Sequence, residues 1–494
     1  MAGVSKASGQ ENWSSRAAFI LAAIGSAVGL GNLWRFPYVA GESGGGAFVL
    51  IYILCIVLIG LPVLCAELMI GRRGGGSAIS AVTRLARTEG HPALWGTFAG
   101  LGILASFLIL SFYCMIAGWV LYYVIAILGD LFSNIASNGL GAISAGAFES
   151  STPEEISGRL GALLARPGEA IIYQGIFVLL TIGIVSRGIS GGIEKAVTIL
   201  MPAFFVMLLI LVVVALVQGD GTAAVNYLFK PDFAALAAGI ADRSILSNAL
   251  GQAFFSIGLG SALMITYGMY MSKDADVPGS AAIVCSADTI VALIAGLAIF
   301  PIVFQFGLEP GGGPGLMFGT LPLAFQQMPF GAVFGAVFFL MALFAALTSS
   351  ISLLEPAVAW RDGGADLAPE AKMKRRLLAS IGLGGILFAL GVMHILSQVP
   401  TGQANFFNSW VPVDFGPFAG KTFFDFVDVL TSQFLLPIVA LLTAIFAGWV
   451  VSKTASREEL GFKTESRYRA WYFLIRFVCP AAIFLIVLTS LGIL

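Results

Sequence analysis

An all-α polytopic membrane protein with eleven transmembrane helices is the fold class this sequence predicts, on three observations. Of the 494 residues, 58% are hydrophobic and only 11% charged, too few charges to wet the surface of a soluble domain of that size. Apolar runs of about 18 residues or more recur along the whole length, each able to cross roughly 30 Å of hydrocarbon. Lys and Arg, finally, are distributed very unevenly between alternate connectors.

Apolar length and polar breaks place the first five spans near 16–40, 46–71, 95–128, 170–186 and 193–217. The next five fall near 244–271, 278–306, 331–361, 375–398 and 424–451, and an eleventh near 469–493. The third is long enough to tilt or to protrude from the bilayer. Polar connectors at 129–169, 218–243, 307–330 and 399–423 lie on one side and hold five basic residues: Arg159, Arg166, Lys230, Arg243 and Lys421. The other side holds nineteen, from Lys6 and Arg16 through Arg72, Arg73, Lys372, Lys374, Arg375 and Arg376 to Arg469. The positive-inside rule then predicts a cytoplasmic N-terminus and, after an odd number of spans, an external C-terminus. The opening MAGVSKASGQENWSS is polar and lacks the apolar core of a signal peptide.

A net charge of -1 argues against a nucleic-acid partner. Cys55, Cys65, Cys114, Cys285 and Cys479 all lie in apolar segments, and His91 and His394 are far apart. Buried free thiols are expected, not disulfides or transition-metal ligands.

Two short stretches carry the functional question: AVGLGN (Ala27 to Asn32) in span one and SIGLGS (Ser256 to Ser261) in span six. A glycine inside a helix costs about 1 kcal/mol relative to alanine. Either motif alone reads equally well as close helix packing through small residues. Together they occupy the same place in two halves, if spans one to five and six to ten repeat one another; five being odd, the halves are inverted. Transporters so built break the first helix of each repeat at mid-bilayer, and the freed N–H and C=O groups bind substrate and ions. Irregular backbone at that depth is tolerated only where it lines a cavity. The chain then divides into a cytoplasmic tail (1–12), a first five-helix repeat (13–217), an extracellular connector (218–243), a second, inverted repeat (244–451), and a cytoplasmic loop with the eleventh helix (452–494).

Polar residues inside spans are functional candidates because burying them is costly. They include Ser26, Asn32 and Arg35 in span one, Glu67 in span two, Tyr113 in span three, and Gln252 and Ser256 in span six. Asp288 lies in span seven, Thr348, Ser349 and Ser350 in span eight, and Asp425 and Asp428 in span ten. Oxygen is the recurring ligand atom, which suits a hard alkali cation. Each hydroxyl alone also reads as a back-bond to its own helix.

At this point the residues resemble a family. GSAVGLGNLWRFPYVAGESGGGAF (Gly25 to Phe48), RGISGGIEK (Arg187 to Lys195), GQAFFSIGLG (Gly251 to Gly260) and ALTSSIS (Ala346 to Ser352) are similar to motifs of the neurotransmitter:sodium symporters. The likeness is greatest to bacterial amino-acid transporters with the leucine-transporter fold, and it runs from Trp13 over nearly the whole chain. It implies a sodium-coupled amino-acid symporter of a bacterial-type inner (plasma) membrane, not an enzyme, with Na+ (two ions) and no organic cofactor.

By that resemblance the first sodium site comprises Ala27, Asn32, Ser256 and a span-seven residue, taken as Asp288, and the second comprises Gly25, Val28, Ala345, Thr348 and Ser349. The substrate carboxylate would meet Leu30, Gly31 and the Tyr113 hydroxyl, and its amine carbonyls near Ala27, Phe255 and Ser256, with Ser26 a further substrate contact. Half-helix N-termini favour the carboxylate and C-terminal carbonyls the cations. No acid lies between Gly25 and Arg35, so the substrate should bring its own carboxylate. Ile109, Phe255, Gly258, Ser261, Ser350 and Leu353 would surround its side chain, and the small Gly258 and Ser261 leave room for an apolar or aromatic one.

Arg35 and Asp428 resemble an outer gate pair above Phe255, and Trp13 and Tyr270 inner gate residues. The acid that relatives pair with an N-terminal arginine is replaced by Gly363. Asp288 stands where chloride-dependent relatives hold the anion, so transport should be chloride-independent. A sodium channel and a membrane amino-acid sensor without net transport are the competing classes: the first would show single-channel currents, the second no accumulation.

Overall fold

The structure, a computed structural model, describes residues 12–241, 244–308, 313, 315–362, 368–400, 402–403 and 405–491. Lys6, Arg243 and Gly363 lie outside the described residues. Helix α1 (Arg16–Ala27) begins where the Ser15 side chain accepts from the Ala18 amide at 3.1 Å, satisfying one of the unpaired amides of a helix start. It is followed by α2 (Gly31–Glu42), and the two axes are bent by 47° at the break. Then come α3 (Gly46–Gly74), α4 (Ala78–Thr88), α5 (Ala93–Asn138), α6 (Pro167–Val185) and α7 (Ile189–Gln218). The second half holds α8 (Ser244–Ile257), α9 (Leu263–Met269), α10 (Val277–Gln305), α11 (Gly331–Asp362), α12 (Pro369–Ser397), α13 (Phe423–Val450), α14 (Lys453–Leu460) and α15 (Glu465–Ser490).

Among the described residues nine helices are long and apolar enough to cross a membrane, or ten when α1 and α2 count as one bent span. The remaining expected span, 244–271, is observed as α8 and α9, whose 14 and 7 residues are each too short to cross alone. α5 is longer than expected. Its 46 residues extend about 69 Å at 1.5 Å each, so it protrudes well beyond the hydrocarbon. α4 was not anticipated: it is capped by Ser77 and Ser80 in a reciprocal capping box and is too short and too charged to register as a span.

Burial sorts the helices into two shells. In the most apolar window of each helix, α3, α5, α11 and α13 are 61–72% buried, whereas α6, α7, α12 and α15 are 22–33% buried. The outer four expose Leu179, Ile199, Val213, Ile381 and Phe484, a surface complementary to lipid. α1 lies in the middle against α7, α10 and α11, while α9 packs on α3. Residues of both interruptions, Gly29 and Gly258 among them, line one cavity inside the protein.

Candidate functional site

α1 ends because the chain turns extended at Val28, with φ -76° and ψ 100°. The groups freed there find side-chain partners. Gly29 N donates to Asn32 Oδ1 (3.0 Å) and Leu30 N to the Tyr113 hydroxyl (3.2 Å), while Gly31 O accepts from Gln252 Nε2 (3.3 Å). A Cβ on Gly29 would lie 2.5 Å from Ser349 Oγ, so only glycine lets the two approach.

The second interruption, between Ile257 and Leu263, contains three left-handed residues: Gly258 (φ 73°), Gly260 (φ 76°) and Ala262 (φ 56°). Gly260 N donates to the buried Glu67 carboxylate at 2.8 Å. A Cβ on Gly260 would sit 2.2 Å from the Leu436 carbonyl of α13. Both conformation and space demand glycine there.

Asp288 of α10 joins the two breaks. Its Oδ1 accepts from Asn32 Nδ2 (2.8 Å) and from Ser256 Oγ (2.7 Å), and its Oδ2 from the Tyr52 hydroxyl (3.1 Å). Asn32 Nδ2 also reaches Ser256 Oγ and the Asp288 carbonyl, both at 3.2 Å. Three oxygens thus converge on one donor, within a cluster whose four side chains are all buried. A buried carboxylate needs such partners or a cation.

A second oxygen cluster lies across α1. Ser349 Oγ is 3.4 Å from Gly25 O, 3.3 Å from Ser26 O and 3.5 Å from Val28 O, and Thr348 Oγ1 is 3.0 Å from Ala345 O. These are the C-terminal carbonyls of a half-helix, where the dipole is negative.

Between the clusters is a cavity of about 40 Å³, space for a few water molecules. Of the expected substrate contacts, Ser26, Ala27, Gly31, Ile109, Tyr113, Phe255, Ser256, Gly258, Ser261 and Leu353 line it. Leu30 takes part through its amide. Ser350 does not belong to the set. Its hydroxyl donates to Leu347 O (2.9 Å) and meets Thr181 Oγ1 (2.9 Å), tying α11 to α6. At 100° per residue, three consecutive helical side chains cannot all face one hollow. Leu263 and Leu436 also line the cavity, and neither they nor Tyr52 carry any signal that separates them from ordinary core residues.

The expected outer pair is not an ion pair here. Arg35 Nη1 donates to Gly251 O (3.2 Å) and its guanidinium stacks 4.7 Å from the Phe255 ring centre. Its guanidinium makes no N–O pair within 4.0 Å with Asp428, both being described residues. The opposite end is closed more thickly. Trp13 N donates to Tyr270 O (3.2 Å), Trp13 Nε1 to Tyr267 O (3.4 Å), and the Trp13 and Tyr267 rings meet edge to face at 5.2 Å. Tyr270 OH donates to Glu355 Oε1 (2.8 Å). Glu355 is paired with Arg376, which also donates to Val185 O (2.9 Å). Glu355 and Arg376 were missed in the sequence. An acid within an apolar span was the available signal for the first, whereas the second is hidden in a run of loop-like charges.

A family model described as the sodium:neurotransmitter symporter family matches residues 10–134 and 160–493. The chain is 36% identical over 485 residues to a sodium-dependent transporter of Bacillus subtilis, covering 98% of each. It is 25% identical over 443 residues to the sodium- and chloride-dependent neutral and basic amino acid transporter B(0+) of Mus musculus, covering 78% of this chain and 67% of the relative. Among solved structures, it resembles MhsT in complex with L-phenylalanine, with a TM-score of 0.83, 38% identity, and coverage of 98% of this chain and 100% of the other.

Proposed function

The chain belongs to the sodium:neurotransmitter symporter family, and from that premise we propose that it imports an apolar or aromatic amino acid together with sodium by alternating access. The observation that carries the reading is the Asn32–Ser256–Asp288 cluster, which ties both helix breaks to one buried carboxylate. The amino acid lies between the breaks, its carboxylate on Gly31 and the Tyr113 hydroxyl, its side chain among Ile109, Phe255, Gly258, Ser261 and Leu353. MhsT, a structural neighbour, is in complex with L-phenylalanine, which fits a pocket walled by a glycine and a serine. The 40 Å³ hollow must then widen, and Phe255, half-buried under Arg35, is the side chain placed to swing.

One sodium ion binds Ala27, Asn32, Ser256 and Asp288, and a second Gly25, Val28, Ala345, Thr348 and Ser349. The Asp288 carboxylate supplies the fixed negative charge, so no chloride is required. Eleven spans, with α1–α2 and α8–α9 as broken helices of two inverted repeats, run from a cytoplasmic N-terminus to an external C-terminus, the orientation the Lys and Arg distribution supports. Release is then toward the Trp13 end. A tenfold gradient contributes about 1.4 kcal/mol and a 100 mV potential about 2.3 kcal/mol per charge. Two ions together supply roughly 7 kcal/mol, enough to hold a zwitterion at a gradient on the order of 10⁵.

The test is uptake of each of the twenty amino acids into proteoliposomes, with sodium or potassium outside. Sodium-dependent accumulation of phenylalanine-like substrates is expected. Saturable binding without accumulation would identify a sensor instead.

A further inference from the structure

We infer that the cleft between α14 and α15 at the Trp13 end of the protein binds an anionic glycerophospholipid of that leaflet, its phosphate held by Arg476 and Lys453. The cleft has a volume of about 460 Å³, with Lys453, Arg469, Tyr472 and Arg476 along its polar side and Phe473 and Phe477 at its apolar end.

Arg476 is the unusual residue. It lies seven positions beyond Arg469 on α15, about 10 Å deeper along the helix axis, inside a span of mean hydropathy 2.2. Its guanidinium is always charged. Among the described residues no carboxylate lies within 4.0 Å of Arg476 or of Lys453. The one acid in the cleft, Glu465, already bridges Arg457 and Arg469. What surrounds Arg476 is aromatic: its Cζ is 4.0 Å from the Trp449 ring centre, 5.5 Å from that of Tyr472 and 5.7 Å from that of Phe477. Its Nη1 donates to the Tyr472 hydroxyl, and its Nε has no hydrogen-bond partner. Lys453 Nζ lies 5.1 Å from the same Tyr472 ring, so both cations share one aromatic wall.

The wall is rigid. Trp449 Nε1 donates to Arg476 O (3.1 Å) and Tyr472 OH to Gly448 O (3.2 Å), locking α13 to α15. Beside it, Trp449, Phe473 and Phe477 are 53%, 57% and 49% exposed, an amphipathic shelf of the kind that lies at the headgroup level. Two unpaired cations above an apolar ledge match a phosphodiester with acyl chains, and basic pockets of this kind bind acidic headgroups. Zwitterionic lipids carry their own ammonium and satisfy the site less well.

The experiment is native mass spectrometry of the full chain, titrated with phosphatidylglycerol or phosphatidylethanolamine of matched acyl length. Phosphatidylglycerol should bind at least fivefold tighter. Arg476→Gln and Lys453→Gln should each remove that preference, whereas Arg166→Gln, the same charge change on the opposite face, should keep it. Lys453 is exposed and its variant should fold even where Arg476→Gln does not. Equal binding of the two lipids, a preference unchanged in both cleft variants, or displacement of lipid by a second copy of the chain would each overturn the inference.

Discussion

The amide nitrogen of Asn32 lies 2.8 Å from Oδ1 of Asp288, so the first helix break is bonded to a carboxylate 256 residues further along the chain. Ser256, in the last turn of α8 just before the second break, shares the same oxygen at 2.7 Å. The charge of Asp288 is thus the common reference for both interruptions.

Replacing that charge should change the ion requirement. Wild-type uptake should be unaffected when gluconate replaces chloride. Asp288→Asn keeps the shape and most hydrogen bonds but removes the negative charge, so sodium-driven uptake should be lost or become chloride-sensitive. Strict chloride dependence of the wild type would contradict this assignment.

Ser349 touches three α1 carbonyls between 3.3 and 3.5 Å. Ser349→Ala removes one ligand oxygen without disturbing the fold. The sodium concentration for half-maximal uptake should rise about tenfold, equivalent to about 1.4 kcal/mol. Folding stability in detergent should change little. An unaltered sodium dependence would exclude the second ion from this place.

Gly260→Ala should be far more damaging than its single methyl group implies. The residue is left-handed, and the new Cβ would lie 2.2 Å from the Leu436 carbonyl. Strain of this kind destabilises by more than about 1 kcal/mol, so thermal unfolding should begin earlier and uptake should fail. Gly382→Ala, whose Cβ would meet nothing within 4 Å, is the neutral comparison.

Glu355 and Arg376 are 0% and 4% exposed at their side chains. Removing one partner from a buried pair leaves an uncompensated charge, typically worth about 3–5 kcal/mol. Arg376→Ala should therefore lower the unfolding midpoint and loosen the closure formed by Trp13, Tyr267 and Tyr270. Glu355→Leu combined with Arg376→Leu should recover part of the stability but not the uptake. Equal stability of the single and double variants would deny the pair its role.

The breaks were legible because glycine is poorly suited to a helix: Ala27–Asn32 and Ser256–Ser261 bracket the places where the backbone leaves α1 and α8. Asp288 was legible because a carboxylate in an apolar run must be paired. Ser350 was carried into the substrate set by the family resemblance alone, whereas the helix turns it toward Thr181. Tyr52 was invisible, an aromatic among aliphatic residues whose hydroxyl acquires meaning only beside Asp288. Glu355 follows Thr348 by seven residues, two helical turns down the same face, and could have been found. The α4 helix escaped because its cap, not its hydropathy, defines it.

If one site holds sodium and amino acid together, a gradient of the amino acid must drive ²²Na+ across the membrane. In chloride-free proteoliposomes with equal sodium on both sides and no potential, an inward phenylalanine gradient should drive ²²Na+ inward against no gradient of its own, and Asp288→Asn should abolish the flux. Sodium entry that is indifferent to the amino acid, or amino-acid entry without sodium, would contradict the account.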